Sequence, residues 1–188
     1  MDIVDRAIIL AVKAHSGDCR KGTKLPYIVH PIESCAIAAS ITDDKEIIAA
    51  AVLHDVVEDT DVTIEEIEEK FGKRVKELVG AETEDKRADL PPAATWRIRK
   101  EESLAELKST EDIAVLMVWL GDKLANMRSI YRDWKVEGDA MWQRFNQKDV
   151  KEQAWYYGSI VKLTERLSDT SAWLEYKKLT EIVFGKGV

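Results

Sequence analysis

Only two cysteines, Cys19 and Cys35, occur in 188 residues, and their spacing is not CxxC. That removes a disulfide framework and a thiolate zinc site, and makes a reduced, cytoplasmic protein the expectation. No apolar run approaches the ~18–20 residues needed to span a bilayer, so no membrane partner is expected. The opening MDIVDRAIILAV carries acid where a signal peptide would carry base. Alternating strand patterns, repeats, heptad seams and low-complexity segments are absent, and nothing in the pattern indicates an oligomer. Positive charge is short: 28 Lys and Arg face 35 Asp and Glu, a net charge of -7. A general nucleic-acid binder would show a basic stripe instead. An anionic small molecule remains compatible, because a bound cation and the one basic island, CRKGTK at 19–24, reverse the field locally.

What is present is helical. With 45% hydrophobic and 34% charged residues the chain reads as globular, and its length suits one domain over 1–188. Ile3, Ala7 and Ala11 recur at i,i+4, as do Val4, Ile8 and Val12. Pro31 suits the first turn of a second helix reaching about Ile41. TDDKE caps a third, near 44–57, and Thr63 with Glu66 forms a capping box for a fourth. Gly72 separates that helix from a short fifth, and the polar, proline-bearing segment 82–95 reads as a loop. Helical patterns resume in TWRIRKEESLAELK, EDIAVLMVWLGDKLANMRSIYRDW, KDVKEQAWYYGSIVKLTERL and SAWLEYKKLTEIVF. The fold class is all-α.

Three features interrupt this pattern. LHDVVEDT (53–60) places His54, Asp55, Glu58 and Asp59 at the end of the apolar run IIAAAV. His54 continues the line of Ile47 and Ala50, so it points inward, and Glu58 shares its face if the helix continues. His30, in PYIVHP, stands where a loop enters a helix. Asp122, Asn126 and Ser129 form a polar stripe on an otherwise apolar helix. Each has a bland alternative, such as a capped helix end or a solvated turn. Taken together, two imidazoles and two carboxylates form a nitrogen–oxygen donor set suited to Mn²⁺, Fe²⁺, Co²⁺ or Zn²⁺. A divalent ion there would polarise a phosphoryl oxygen, with Glu58 and Asp59 placed to handle water. His15, one turn beyond Ala11, reads as a hydrogen-bonded structural histidine.

RKGTKLPYIVHP, LHDVVEDTDVTIEEIEEKFGKRV and LGDKLANMRSI occur in that order, and together they resemble the hydrolase domain of the RelA/SpoT-type alarmone enzymes, within the HD phosphohydrolase superfamily. The resemblance implies a single helical HD domain with one Mn²⁺ on His30, His54, Asp55 and Asp122. It implies hydrolysis of the 3′-pyrophosphate of (p)ppGpp to GDP or GTP and pyrophosphate, with Glu58 and Asp59 as the catalytic pair. Arg20 would stack on guanine with Lys21 nearby, Tyr27 would shape that wall, Asn126 and Ser129 would meet ribose or phosphate, and Lys86 would be a loop-borne phosphate contact. Nothing resembles the synthetase or regulatory domains of the long enzymes, so a stand-alone hydrolase is implied. The chain departs from the family at Gly22, where relatives often have serine, and in a one-residue-longer segment from Arg20 to His30. Both departures fall on the base wall. They leave two alternatives: a phosphohydrolase acting on another nucleotide, such as an adenine alarmone or NADPH, or a non-catalytic alarmone-binding module.

Overall fold

The computed structural model describes residues 1–87 and 89–187. α1 (Ile3–Ala14) opens on a capping box: Val4 N–H donates to the Asp2 carboxylate, and Asp2 N–H donates to Asp5. Its Ala7 and Ala11 are fully buried, as their spacing predicts. The loop that follows is folded on itself, with Arg20 N–H donating to the Leu25 carbonyl (2.8 Å) and Tyr27 N–H to that of Asp18 (2.9 Å). α2 (Val29–Ala39) starts two residues before Pro31, which still lies in the first turn, where a missing N–H costs nothing.

α3 (Lys45–Leu53) is the central helix, and Ala49 through Leu53 are wholly inaccessible. The single helix expected over 44–57 does not form. It breaks at His54 and Asp55, and α4 (Val56–Asp59) follows as one further turn. The cause is local: His54 Nδ1 donates to the Ala51 carbonyl at 2.9 Å, the acceptor a continuing helix would offer to the Asp55 N–H. α5 (Ile64–Phe71) carries the Thr63–Glu66 capping box, and Gly72, at φ 93°, turns the chain into α6 (Lys73–Gly80). α7 (Pro92–Ser109) begins earlier than the polar pattern suggests, with Pro92 as its first residue. α8 (Ile113–Glu137) is the longest helix. A 3₁₀ segment, Gly138–Arg144, which the periodicity does not announce, leads to α9 (Val150–Leu163) and α10 (Ser171–Phe184).

The fold is all-α, with no strand among the described residues beyond one bridge between Cys19 and Pro26. α2, α3 and α8 pack against one another, α1 covers α3, and α10 lies across α8 and α9. Gly121 lets α2 and α8 approach closely: a Cβ there would stand 3.0 Å from the Ser34 carbonyl oxygen. No helix among the described residues is long and apolar enough to cross a membrane.

Candidate metal centre and substrate cleft

The three packed helices bring their polar interruptions to one point. His30 comes from the first turn of α2, His54 and Asp55 from the break after α3, and Asp122 from the middle of α8. His30 Nε2 lies 3.0 Å from Asp122 Oδ1 and 3.4 Å from Asp55 Oδ2. His54 Nε2 lies 3.0 Å from Asp55 Oδ2 and 3.4 Å from Asp122 Oδ1, and the two Nε2 atoms are 3.2 Å apart. Donor atoms ~2.1 Å from a common ion stand ~3.0 Å apart at right angles and ~3.4 Å apart in a tetrahedron, so the spacings among His30, His54 and Asp122 fit a shared divalent cation. The tautomer fits too. His54 Nδ1 keeps its proton on Ala51, which leaves Nε2 as a lone-pair donor. His30, His54 and Asp122 form the tightest group, and Asp55 stands against both histidines from beside it.

In the metal-free protein the buried charges at this centre compensate one another. Burial opposes the charged form of His54, but Asp55 and Asp122 outweigh it and hold the imidazole well above its ordinary pKa. Burial also opposes the Asp55 and Asp122 carboxylates. His54 and His30 hold Asp55 well below the usual range, and Lys123 and His54 do the same for Asp122.

Glu58 and Asp59, on α4, face the same cleft despite the helix break. Burial pushes Glu58 up to about 7, aided by the Asp55, Glu84 and Asp59 carboxylates and opposed by Lys86. Lys86 is ion-paired to Asp59 and lies 3.7 Å from Glu58, so it meets the carboxylates where a phosphate contact was expected. Tyr27 also does more than shape a wall. Its hydroxyl lies 2.6 Å from Asp55 Oδ2 and 2.9 Å from Asp59 Oδ2, bridging the donor set to the catalytic candidates. Tyr27→Phe is expected to weaken metal affinity by about 10- to 100-fold, as loss of a ligand's outer hydrogen bond does. Metal titration of the folded variant checks this, and unchanged affinity would count against the link.

Arg20 donates to Asn126 Oδ1 at 2.7 Å, and Asn126 Nδ2 donates to Asp122 Oδ1 at 2.7 Å, so Arg20 is tied through one amide to the donor cluster. The Arg20 guanidinium also lies over the Tyr27 ring, 5.5 Å from its centroid. Next to it is a cleft of about 290 Å³ lined by Arg20, Lys21, Tyr27, Asn126 and Ser129. Eleven of the twelve candidate residues therefore belong to the donor cluster or line the clefts beside it, and Lys86 reaches them through its ion pair with Asp59. Across that cleft stand Asp133, Arg144, Phe145 and Tyr157, which motif reading left as packing. Gly22, at φ 72°, explains one departure from the family: a Cβ there would stand 2.8 Å from Arg144 Cδ.

Other residues of the site gave weaker signals. Lys123 follows Asp122 directly, is bonded to it, and lies 3.6 Å from Glu82. Glu82 is buried at the head of the polar loop, and burial pushes it up to about 8, opposed by Lys123 and aided by Asp122. Glu84 accepts from Arg99 at 2.8 Å and from Lys100 at 2.6 Å. A buried Glu82 is legible only once the loop is seen anchored by Trp119 Nε1 on the Ala81 carbonyl (3.2 Å). His15 corrects the sequence reading: it is buried, yet neither ring nitrogen finds a hydrogen-bond partner among the described residues. Burial lowers its pKa against the pull of Asp55, Asp59 and Asp18, which favours the neutral ring.

Comparison with known proteins agrees with this geometry. The HD domain family matches residues 7–149. A GTP pyrophosphokinase of Myxococcus xanthus is 35% identical over 136 residues, covering 69% of this chain and 17% of the relative. The guanosine-3′,5′-bis(diphosphate) 3′-pyrophosphohydrolase of Aquifex aeolicus is 36% identical over 128 residues, covering 68% of this chain and 18% of the relative. The chain thus spans less than a fifth of the length of either. A solved structure described as a metazoan ortholog of SpoT that hydrolyzes ppGpp superposes with a TM-score of 0.76 at 23% identity, covering 97% of this chain and 96% of the other, and so shares the fold. With its helices, its His–His-Asp–Asp cluster and these relatives in agreement, the chain belongs to the HD domain family, on its RelA/SpoT-type side.

Proposed function

We propose that the protein is a metal-dependent phosphohydrolase that removes the 3′-pyrophosphate of ppGpp or pppGpp, with residues 1–188 acting as one hydrolase domain. The observation that carries this is the convergence of four donor side chains, 3.0–3.4 Å apart across the two histidines, beside the Glu58–Asp59 pair and an Arg-lined cleft. The names of the Aquifex relative and the metazoan structure support the substrate. His30, His54, Asp55 and Asp122 would hold the ion, Mn²⁺ by family resemblance. When bound, a divalent ion supplies Lewis acidity toward a phosphoryl oxygen and acidifies water. Glu58, with a pKa of about 7, is matched to taking a proton from the attacking water near neutrality. Water adds to the phosphorus that carries the 3′ oxygen, and the P–O3′ bond breaks. The proton taken from water goes to the departing 3′ oxygen, which becomes the 3′ hydroxyl of GDP or GTP, and pyrophosphate is released. Arg20 offers a cation to the face of the base, and Asn126 ties that contact to the metal centre. The two cysteines are free, in keeping with a cytoplasmic enzyme.

The direct test is pyrophosphate release from ppGpp by purified protein supplied with Mn²⁺. Absence of release with Mn²⁺, Fe²⁺, Co²⁺ and Zn²⁺ alike would sink the proposal. The Gly22–Arg144 contact favours one second reading, a changed base preference. kcat/KM across guanine and adenine alarmones and NADPH decides it, because only that ratio reports discrimination.

A further inference from the structure

A second chamber of about 230 Å³ opens beside the metal centre, and its lining is unusual for an acidic chain. Lys21, Arg99, Lys100 and Lys123 line it, with no carboxylate among its lining residues. Arg99 and Lys100 share one carboxylate partner, Glu84, which lies outside the lining, so their charge is only partly balanced. Lys123 is bonded to Asp122, a candidate metal ligand. The side chains of Arg99, Lys100 and Lys123 are only 10–17% exposed, so their charge is poorly screened by water. Tyr156 lines the same chamber, is 3% exposed, and its hydroxyl has no hydrogen-bond partner among the described residues. A buried hydroxyl of that kind is costly unless something else satisfies it.

We propose that this chamber is a phosphate subsite that takes the outer phosphate of the pyrophosphoryl group being removed. The inference rests on the proposed activity and names residues beyond it. The chamber meets the metal cleft at Lys100, Lys123 and Asn126. Two phosphates of a pyrophosphoryl group share one bridging oxygen, so when the inner one is at the metal centre the outer one lies immediately beside it. Arg99, Lys100 and Lys123 then complement its charge, and the Tyr156 hydroxyl donates to one of its oxygens. The subsite selects a two-phosphate group over a single phosphate, and it holds the departing pyrophosphate. The chamber also meets the base-side cleft at Lys21, which makes the 5′ phosphates the competing occupant.

Calorimetric titration of the Mn²⁺-loaded protein with inorganic pyrophosphate and with orthophosphate tests this without turnover. Wild-type protein is expected to bind pyrophosphate about tenfold or more tightly than orthophosphate, the worth of one added hydrogen-bonded charge. Tyr156→Phe should lose about tenfold in pyrophosphate affinity and little in orthophosphate affinity. It should melt no lower than wild type, because it deletes an unpaired buried hydroxyl. Lys100→Met gives a second variant with the same expected loss. Equal affinity for the two anions, or pyrophosphate binding untouched in both folded variants, overturns the subsite. So does a loss confined to substrates carrying 5′ phosphates, relative to guanosine 3′-diphosphate, with inorganic pyrophosphate bound normally. If ppGpp is not hydrolysed but pyrophosphate binding falls in the variants, the proposed substrate fails and the subsite stands. If ppGpp is hydrolysed while the variants bind pyrophosphate as wild type does, the reverse holds.

Discussion

His54→Ala is expected to strip the purified protein of stoichiometric divalent metal and to lower ppGpp turnover by at least about a thousandfold. The imidazole stands 3.0 Å from Asp55, 3.2 Å from His30 and 3.4 Å from Asp122, so its removal opens the middle of the donor set. It also frees the Ala51 carbonyl that breaks the helix, so α3 can run on into α4 and carry Asp55 out of register. The variant therefore loses a donor and the local shape that presents its neighbour. Circular dichroism separates this from unfolding, and a folded His54→Ala that retains metal and turnover would refute the assignment.

The pH dependence of the same site has a definite sign. In metal-free protein His54 holds its proton well above the ordinary histidine value, because Asp55 and Asp122 outweigh burial. A raised folded-state pKa gives stability that is fully present below about 6.5 and is lost as pH rises through the raised value. A metal ion needs the neutral ring, so binding must displace that proton. Metal affinity then drops as pH is lowered, across a window reaching above 6.5, higher than an unperturbed histidine would give. Calorimetry in buffers of different ionisation enthalpy measures the proton released.

Much of this arrangement is legible in the sequence. Ala7, Ala11 and the Thr63–Glu66 cap sit where periodicity and capping chemistry put them, because those signals are local. The donor residues were readable because charged groups on buried helices need a partner. The break at His54 was not readable: it depends on a side chain outcompeting the backbone for the Ala51 carbonyl, and no propensity encodes that. Nor was the second wall of the cleft beside Arg20. Asp133, Arg144, Phe145 and Tyr157 come together only through the 3₁₀ segment after α8, which shows no period. From α9 the adjoining chamber takes Gln153, Tyr156 and Tyr157, on its buried face.

Glu58→Gln should separate metal binding from chemistry. The substitution keeps the shape of the side chain and leaves His30, His54, Asp55 and Asp122 untouched, so metal content should stay at the wild-type level. Turnover should fall by about 10²- to 10⁴-fold, the usual worth of a positioned general base. Glu58 suits that role because burial, with Asp55, Glu84 and Asp59 around it, lifts it to about 7 against the pull of Lys86. A base must be unprotonated to act, so wild-type kcat/KM should rise with pH through a limb at or below about 7, since a divalent cation nearby favours the carboxylate. Glu58→Gln should lack that limb. Stability of the metal-free protein moves the other way. A folded pKa of about 7 against the ordinary value of 4.5 means that stability present below about 4.5 is lost as pH rises through about 7. Glutamine cannot ionise, so the variant should gain on wild type in denaturant melts as pH rises across that range. A wild-type rate in the variant removes Glu58 from the chemistry, and parallel melts across that range remove the buried, raised carboxyl. A base that costs stability when ionised and yet is kept beside a donor cluster is expected of a hydrolytic centre, and a module that only binds nucleotide has no use for it.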